Sequence, residues 1–184
     1  MASRPPAGLI SIPPDALVVL IGAAGSGKST FASRHFPAAA VVSSDAIRKA
    51  KRASGWSKRR NDVFDDLRAQ ADARLAEGSL TVLDATNVDW MRRSELIRSA
   101  RTNGRTAVAL VFAIPVEASL LQNRARQDAV SASTIRRQAA AIERDLDRLD
   151  LEGFSVVQVF RSNAEADAVQ VEIKRGPVTR ASLS

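Results

Sequence analysis

Gly22-Ala23-Ala24-Gly25-Ser26-Gly27-Lys28-Ser29 fits G-x-x-x-x-G-K-[ST] and directly follows the apolar run Leu17-Val18-Val19-Leu20-Ile21. A strand feeding a glycine-rich loop and then a helix is the context a phosphate-binding loop requires. The glycines let main-chain N–H groups close around a polyphosphate, and the helix presents its positive end to the anion. In that arrangement Gly22, Ala24, Gly25, Ser26 and Gly27 form the cradle and Lys28 reaches the β- and γ-phosphates of ATP or another NTP. The Ser29 hydroxyl ligates a bridging Mg²⁺, and Thr30 adds a contact nearer the α-phosphate. Read plainly, the same glycines would make only a tight turn.

Two carboxylates follow apolar strands downstream. Val42-Ser43-Ser44-Asp45 ends the second strand, taken here as the neighbour of the loop-bearing strand, so Asp45 would face the γ-phosphate and accept the proton of an attacking hydroxyl. Arg48, one helical turn on, would contact a phosphate of the acceptor. The alternative is an Asp45 that caps a helix beside a solvated arginine. Leu80-Thr81-Val82-Leu83 delivers Asp84, a Walker-B arrangement that holds Mg²⁺ directly or through water, or else a plain strand-end turn. Thr86 and Asn87 are candidates for shaping an acceptor pocket.

Arg124, Arg126 and Arg136 lie on a helical hairpin, about 123–137, that would close over the nucleotide as a lid. There they would neutralise charge on a transferred phosphoryl group, unless the hairpin is only a basic face paired with Glu143, Asp145 and Asp147. Between Arg48 and Arg60 the chain carries Lys49, Lys51, Arg52, Lys58, Arg59 and Arg60 with Trp56 and no acid. Such a run attracts nucleic-acid phosphates and offers a stacking ring; equally it is a solvated charged loop anchored by Trp56. His35 and Trp90 read as packing residues rather than chemistry.

What must position these groups is a set of short apolar strands at 16–21, 40–43, 79–83, 106–112 and 155–160, rich in Val and Leu without alternation. That composition belongs to a parallel sheet covered on both faces. Helical patterns at 28–35, 60–77, 89–102, 116–126 and 132–150 alternate with them. The fold class expected is α/β: a doubly wound parallel five-stranded sheet with helices on both faces and a helical lid, its ligands at the carboxyl ends of the strands. The leader 1–14, bracketed by Pro5-Pro6 and Pro13-Pro14, is expected to pack loosely, and the tail 175–184 to fray.

The 184 residues, 45% hydrophobic and 26% charged, suit a single domain. With no cysteine, disulfides and thiolate metal sites are excluded. Nothing in the first residues has the apolar core of a signal peptide and no stretch reaches the length of a membrane span, so the cytoplasm is the expected location and no membrane partner is expected. A net charge of +7 suits polyanionic partners.

Taken together, the loop with Phe31 and Ala32, Ser43-Ser44-Asp45 with Arg48, Asp84-Ala85-Thr86-Asn87-Val88, Asn123-Arg124-x-Arg126, Ile135-Arg136 and Glu152-Gly153-Phe154 resemble the polynucleotide 5′-hydroxyl kinase domain of bacterial RNA end-healing and repair enzymes. The resemblance runs from about residue 9 to 178 with the motifs in order. It implies a P-loop phosphotransferase moving the γ-phosphate of ATP or another NTP, with Mg²⁺, to the 5′-OH end of RNA or DNA. It implies Asp45 as general base, Arg48 on the acceptor and Arg126 on the phosphates. Additional repair domains can accompany such a kinase in a longer parent protein. This chain departs from the pattern at the second lid arginine, where Ala129 and Val130 stand, leaving Arg124 or Arg136 to substitute, and in the basic rather than acidic stretch after Arg48. A kinase of a small hydroxyl compound, or a nucleic-acid-binding ATPase module, would use the same loop.

Overall fold

The computed structural model describes residues 8–55, 63–126 and 128–174. Its main sheet has five parallel strands: β2 (Leu17–Gly22), β3 (Val41–Ser43), β4 (Thr81–Asp84), β5 (Ala107–Phe112) and β6 (Val156–Phe160). They lie in the order β3-β4-β2-β5-β6, with Leu17 of β2 level with Thr81 on one side and Ala107 on the other. Between them run α1 (Lys28–His35), α2 (Ser44–Ala53), α3 (Val63–Ala76), α4 (Trp90–Thr102), α5 (Val116–Arg124), α6 (Ala132–Asp145) and α7 (Asn163–Ala168).

Every residue of β2 is buried because the sheet is covered on both faces. Leu17, Val19 and Ile21 face one core with Leu67 and Leu75 of α3, Leu96 of α4 and Ile135 and Ile142 of α6. Val18 and Leu20 face the other, where Phe31 of α1 meets Phe112 edge-on at 5.4 Å and Phe112 meets Phe160 at 5.1 Å. Two-sided burial is the reason the strands read as unbroken apolar runs rather than as alternating ones.

Several expectations are corrected here. The loose leader contains β1 (Leu9–Ile12), which pairs in parallel with β7 (Gln170–Ile173) as a separate two-stranded sheet and buries Ile10 and Ile12. Its alternating pattern is that of a half-buried strand, but the partner lies at the far end of the sequence, where no local signal points to it. The stretch around Asp45, outside the expected helical patterns, forms α2, capped by Ser43 Oγ, which accepts from Ala46 N–H at 3.4 Å. The helix expected over 132–150 ends at Asp145 and tightens into a 3₁₀ segment, Leu146–Leu151. Trp56, Lys58, Arg59, Arg60 and the tail 175–184 lie outside the described residues.

Candidate active site

The loop between β2 and α1 is held from behind as well as shaped for a ligand in front. Gly25 has φ +79° and packs so tightly on α5 that a side chain would run into the Ser119 carbonyl and sit 3.2 Å from Asn123 Cβ. Gly27, at φ +92°, is the left-handed residue from which α1 starts. Gly25, Ser26, Gly27, Lys28, Ser29 and Thr30 line a pocket of about 540 Å³ at the carboxyl edge of the sheet. Gln122, Arg126, Arg34, Asn163 and Asp167 also line this half-open pocket. Gly22 and Ala24 do not reach it: Gly22 ends β2, and the Ala24 N–H donates to Gln138 Oε1 of α6 at 2.9 Å.

Lys28 is folded back on the loop, its Nζ donating to the Ala23 carbonyl at 2.7 Å and to Ser26 Oγ at 3.2 Å. Burial strips its ammonium of water and lowers its pKa from 10.5 to about 8; nearby Arg126 pushes the same way, against Asp84 and Asp45. Asp84 ends β4 level with Leu20 of β2 and Ser43 of β3. Burial raises its pKa, opposed by a hydrogen bond from Ser29 and by the Lys28 charge.

Asp45 sits elsewhere than expected. β4 lies between β3 and β2, so the strand leading to Asp45 is not the neighbour of the loop-bearing strand, and Asp45 lies in the first turn of α2 rather than at its cap. The site still converges, because Arg126 spans the gap: its Nη2 meets Asp45 Oδ2 at 2.5 Å while Arg48 Nη1 meets Asp45 Oδ1 at 2.7 Å. The carboxylate is thus held by two guanidinium groups, one of which also lines the phosphate-loop pocket. Arg124 does not line that pocket. Arg136 lines a separate cavity of about 480 Å³ with Ala23, Pro115, Glu143 and Arg161.

Two of the three acids weighed as partners of the hairpin go to other residues: Glu143 to Arg161, and Asp145 to Arg93 and Arg144. The described part of the basic stretch is largely paired as well, Lys51 with Asp66 at 2.5 Å and Arg52 with Asp128 at 3.1 Å. His35 packs on Phe31 with ring centres 4.3 Å apart, and burial together with the Arg34 charge lowers its pKa. Trp90 is not a packing residue but 58% exposed at the start of α4.

Asn87 holds the framework instead of shaping an acceptor pocket. At φ +47° it is buried and donates to the Leu20 carbonyl at 2.7 Å, while the Thr86 carbonyl accepts from Gly22 N–H at 3.0 Å. The loop after β4 is thereby stitched to the end of β2. Sequence reasoning named Asn123 only as part of a motif and missed Gln138 and Arg93. Asn123, buried on α5, donates to the Val130 carbonyl at 2.8 Å and accepts from Val130 N–H at 3.0 Å, clamping both ends of the loop that carries Arg126. Gln138 ties α6 to the phosphate loop. Arg93, 1% exposed, pairs with Glu152 at 2.5 Å and Asp145 at 3.0 Å and donates to the Asn87 carbonyl. The available signal was polar residues on apolar helix stripes, as at Ser119 and Asn123, one turn apart on α5 and both buried.

Residues 17–149 match the family model of an AAA domain. The chain belongs to that AAA domain family. No curated protein matches it significantly. Among solved structures it is similar to a sugar kinase from Janibacter sp. HTCC2649, at 21% identity and a TM-score of 0.55, covering 79% of this chain and 84% of that one. A putative kinase from Chloroflexus aurantiacus is 17% identical with a TM-score of 0.55 over 81% and 86% of the two chains. A gluconokinase from Sinorhizobium meliloti 1021 is 20% identical with a TM-score of 0.51 over 84% and 90%. These likenesses establish the fold of this AAA-domain chain as that of the P-loop kinases. No described helix is long and apolar enough to cross a membrane.

Proposed function

We propose that this chain transfers the γ-phosphate of ATP or another NTP to a hydroxyl acceptor, and that the acceptor is the 5′-OH end of a polynucleotide. The observation that carries the reading is the meeting of Asp45, Arg48 and the lid residue Arg126 at the rim of the phosphate-loop pocket. A carboxylate so placed can take the proton of an attacking hydroxyl.

Lys28 and Arg126 both hold internal partners, the Ala23 carbonyl and Asp45. Nucleotide phosphates offer both a stronger one, so Lys28 leaves the Ala23 carbonyl for the β- and γ-phosphates and Arg126 leaves Asp45 for the transferred group. Asp45, kept on the acceptor side by Arg48, then takes the hydroxyl proton as the bond to phosphorus forms. Catalysis is mainly positioning and charge stabilisation in a pocket from which lid closure excludes water.

The donor set fits magnesium. Ser29 and Asp84 put a hydroxyl and a carboxylate within hydrogen-bonding reach of each other, and no larger cluster of acids or histidines exists among the described residues. Mg²⁺ asks for one or two such oxygens, taking its remaining ligands from phosphate and water. When bound it neutralises charge on the β- and γ-phosphates.

The polynucleotide acceptor is supported by the motif order around Asp45-x-x-Arg48 and by the net charge of +7. A small hydroxyl compound is the second reading, favoured by the internal pairing of Lys51 and Arg52, which leaves these cations less available to a phosphate track. Offering labelled γ-phosphate from ATP to 5′-OH RNA, 5′-OH DNA and a panel of sugars and nucleosides decides between them. Transfer to the oligomers, with a KM that climbs steeply with salt as phosphate contacts release counterions, is expected. Transfer confined to the small alcohols overturns the polynucleotide reading.

A further inference from the structure

Trp90 opens α4 and is 58% exposed, and Met91 beside it is 56% exposed. Among the large exposed apolar side chains of the described residues, no other two are adjacent in sequence. Trp90 lies at the carboxyl edge of the sheet, where a fold of this type places its ligands.

The backbone that carries the ring is also anchored on both sides. The loop before it is stitched to β2 by Thr86 and Asn87, Asp89 caps α4 by accepting from Met91 N–H at 2.9 Å, and Arg93 fastens the next turn to Glu152 and Asp145. An exposed indole forgoes the burial of a large apolar face. Fixing one at a ligand edge is useful when another flat group meets it.

The strand register shows which strand end it neighbours. Ser43 is level with Asp84, so the turn carrying Asp45 and the loop leading to Trp90 leave adjacent strands side by side. The first turn of α4 is joined to the first turn of α3 by Arg92 lying 4.7 Å from the Phe64 ring centre, and α3 is joined to α2 by Lys51 and Asp66. Trp90 and Asp45 therefore open helices that leave the carboxyl ends of neighbouring strands, on the same edge of the sheet, with α3 packed against both α2 and α4.

We propose that Trp90 is the stacking platform for the terminal nucleobase of the acceptor, the nucleoside whose 5′-hydroxyl faces Asp45. The inference rests on the phosphotransferase reading above. Every base offers a π-face, so an indole platform without hydrogen-bond readout accepts all of them. The ligand class is a 5′-hydroxyl nucleotide or oligonucleotide with little base preference, its following phosphate taken by Arg48.

Two measurements test this. The chain has two tryptophans, so Trp56→Phe leaves Trp90 as the sole reporter. Saturable quenching of its fluorescence by a 5′-OH oligoribonucleotide, and none by gluconate or glycerol, is expected. In steady state, Trp90→Ala raises KM for the oligonucleotide about tenfold or more with kcat and ATP affinity unchanged, and Trp90→Phe restores most of the loss. If the wild type phosphorylates no nucleic acid at all, the polynucleotide reading falls and the platform with it. If it phosphorylates the oligonucleotide normally while Trp90→Ala leaves KM unchanged and Trp90 is not quenched, the platform alone is overturned.

Discussion

Lys28 couples the geometry of the phosphate loop to pH. Buried against the Ala23 carbonyl, it has a pKa of about 8 rather than 10.5. Its charged form is disfavoured by folding, so between those values the unfolded chain binds more protons than the native one. Stability conferred at this site therefore rises as pH climbs from about 8 to 10.5, and the burial cost is fully present below about 8. Denaturant titrations at the two ends of that window should show the rise in wild type and a flatter response in Lys28→Met. Nucleotide phosphates favour the ammonium, so ATP affinity should fall as pH rises past about 8 in wild type and not in the variant. Lys28→Ala should cost about 10²–10³ in transfer rate, as loss of one contact to a developing charge does. These residues were legible because the loop's chemistry is written in consecutive positions. The fold-back of Lys28 was not, since it depends on the turn that brings the Ala23 carbonyl and Ser26 Oγ within reach of its Nζ.

At the scale of elements, the lid is the feature most dependent on contacts that sequence does not display. Arg126 was legible from its place after Asn123-Arg124, but not its grip on Asp45, which joins residues distant in sequence. Arg126→Ala should lower transfer at least about tenfold while leaving the fold intact, checked in single-turnover assays with MgATP. Asn123 holds the loop from Arg124 to Val130 closed through two hydrogen bonds. Asn123→Ala should cost about 1–3 kcal/mol of stability, because the Val130 groups lose buried partners, and should also weaken ATP binding as the lid loosens. A thermal melt paired with nucleotide titration separates the two effects; unchanged values in both would show that the clamp does not order the lid. Strand ends at Asp84 were readable from an apolar run meeting an acid. The position of β3 beyond β4 was not, because strand order is set by where α2 and α3 pack.

Across the whole molecule, two devices join parts that local patterns leave separate. The β1–β7 pair brings the first and last described strands together, and Arg93 links α4 to the end of α6 and to Glu152 through a nearly fully buried ion network. Arg93→Leu would leave two acids without their cation and should destabilise the fold by about 3–5 kcal/mol, far more than loss of any exposed pair such as Arg52 with Asp128. Chemical denaturation of both variants checks the contrast. The architecture itself, a five-stranded parallel sheet with the phosphate loop at its centre, followed from strand composition and the loop's position. The central claim concerns what that architecture does, and one assay reaches it most directly: transfer of labelled γ-phosphate from MgATP to a 5′-OH RNA by wild type and by Asp45→Asn, with ATP affinity measured on both. The account predicts label on the RNA with wild type, a loss of about 10²-fold or more in Asp45→Asn, and ATP affinity that is unchanged or higher because Arg126 is released. Equal transfer by the two proteins, or an ATP affinity that collapses in Asp45→Asn while bound substrate turns over normally, would contradict it.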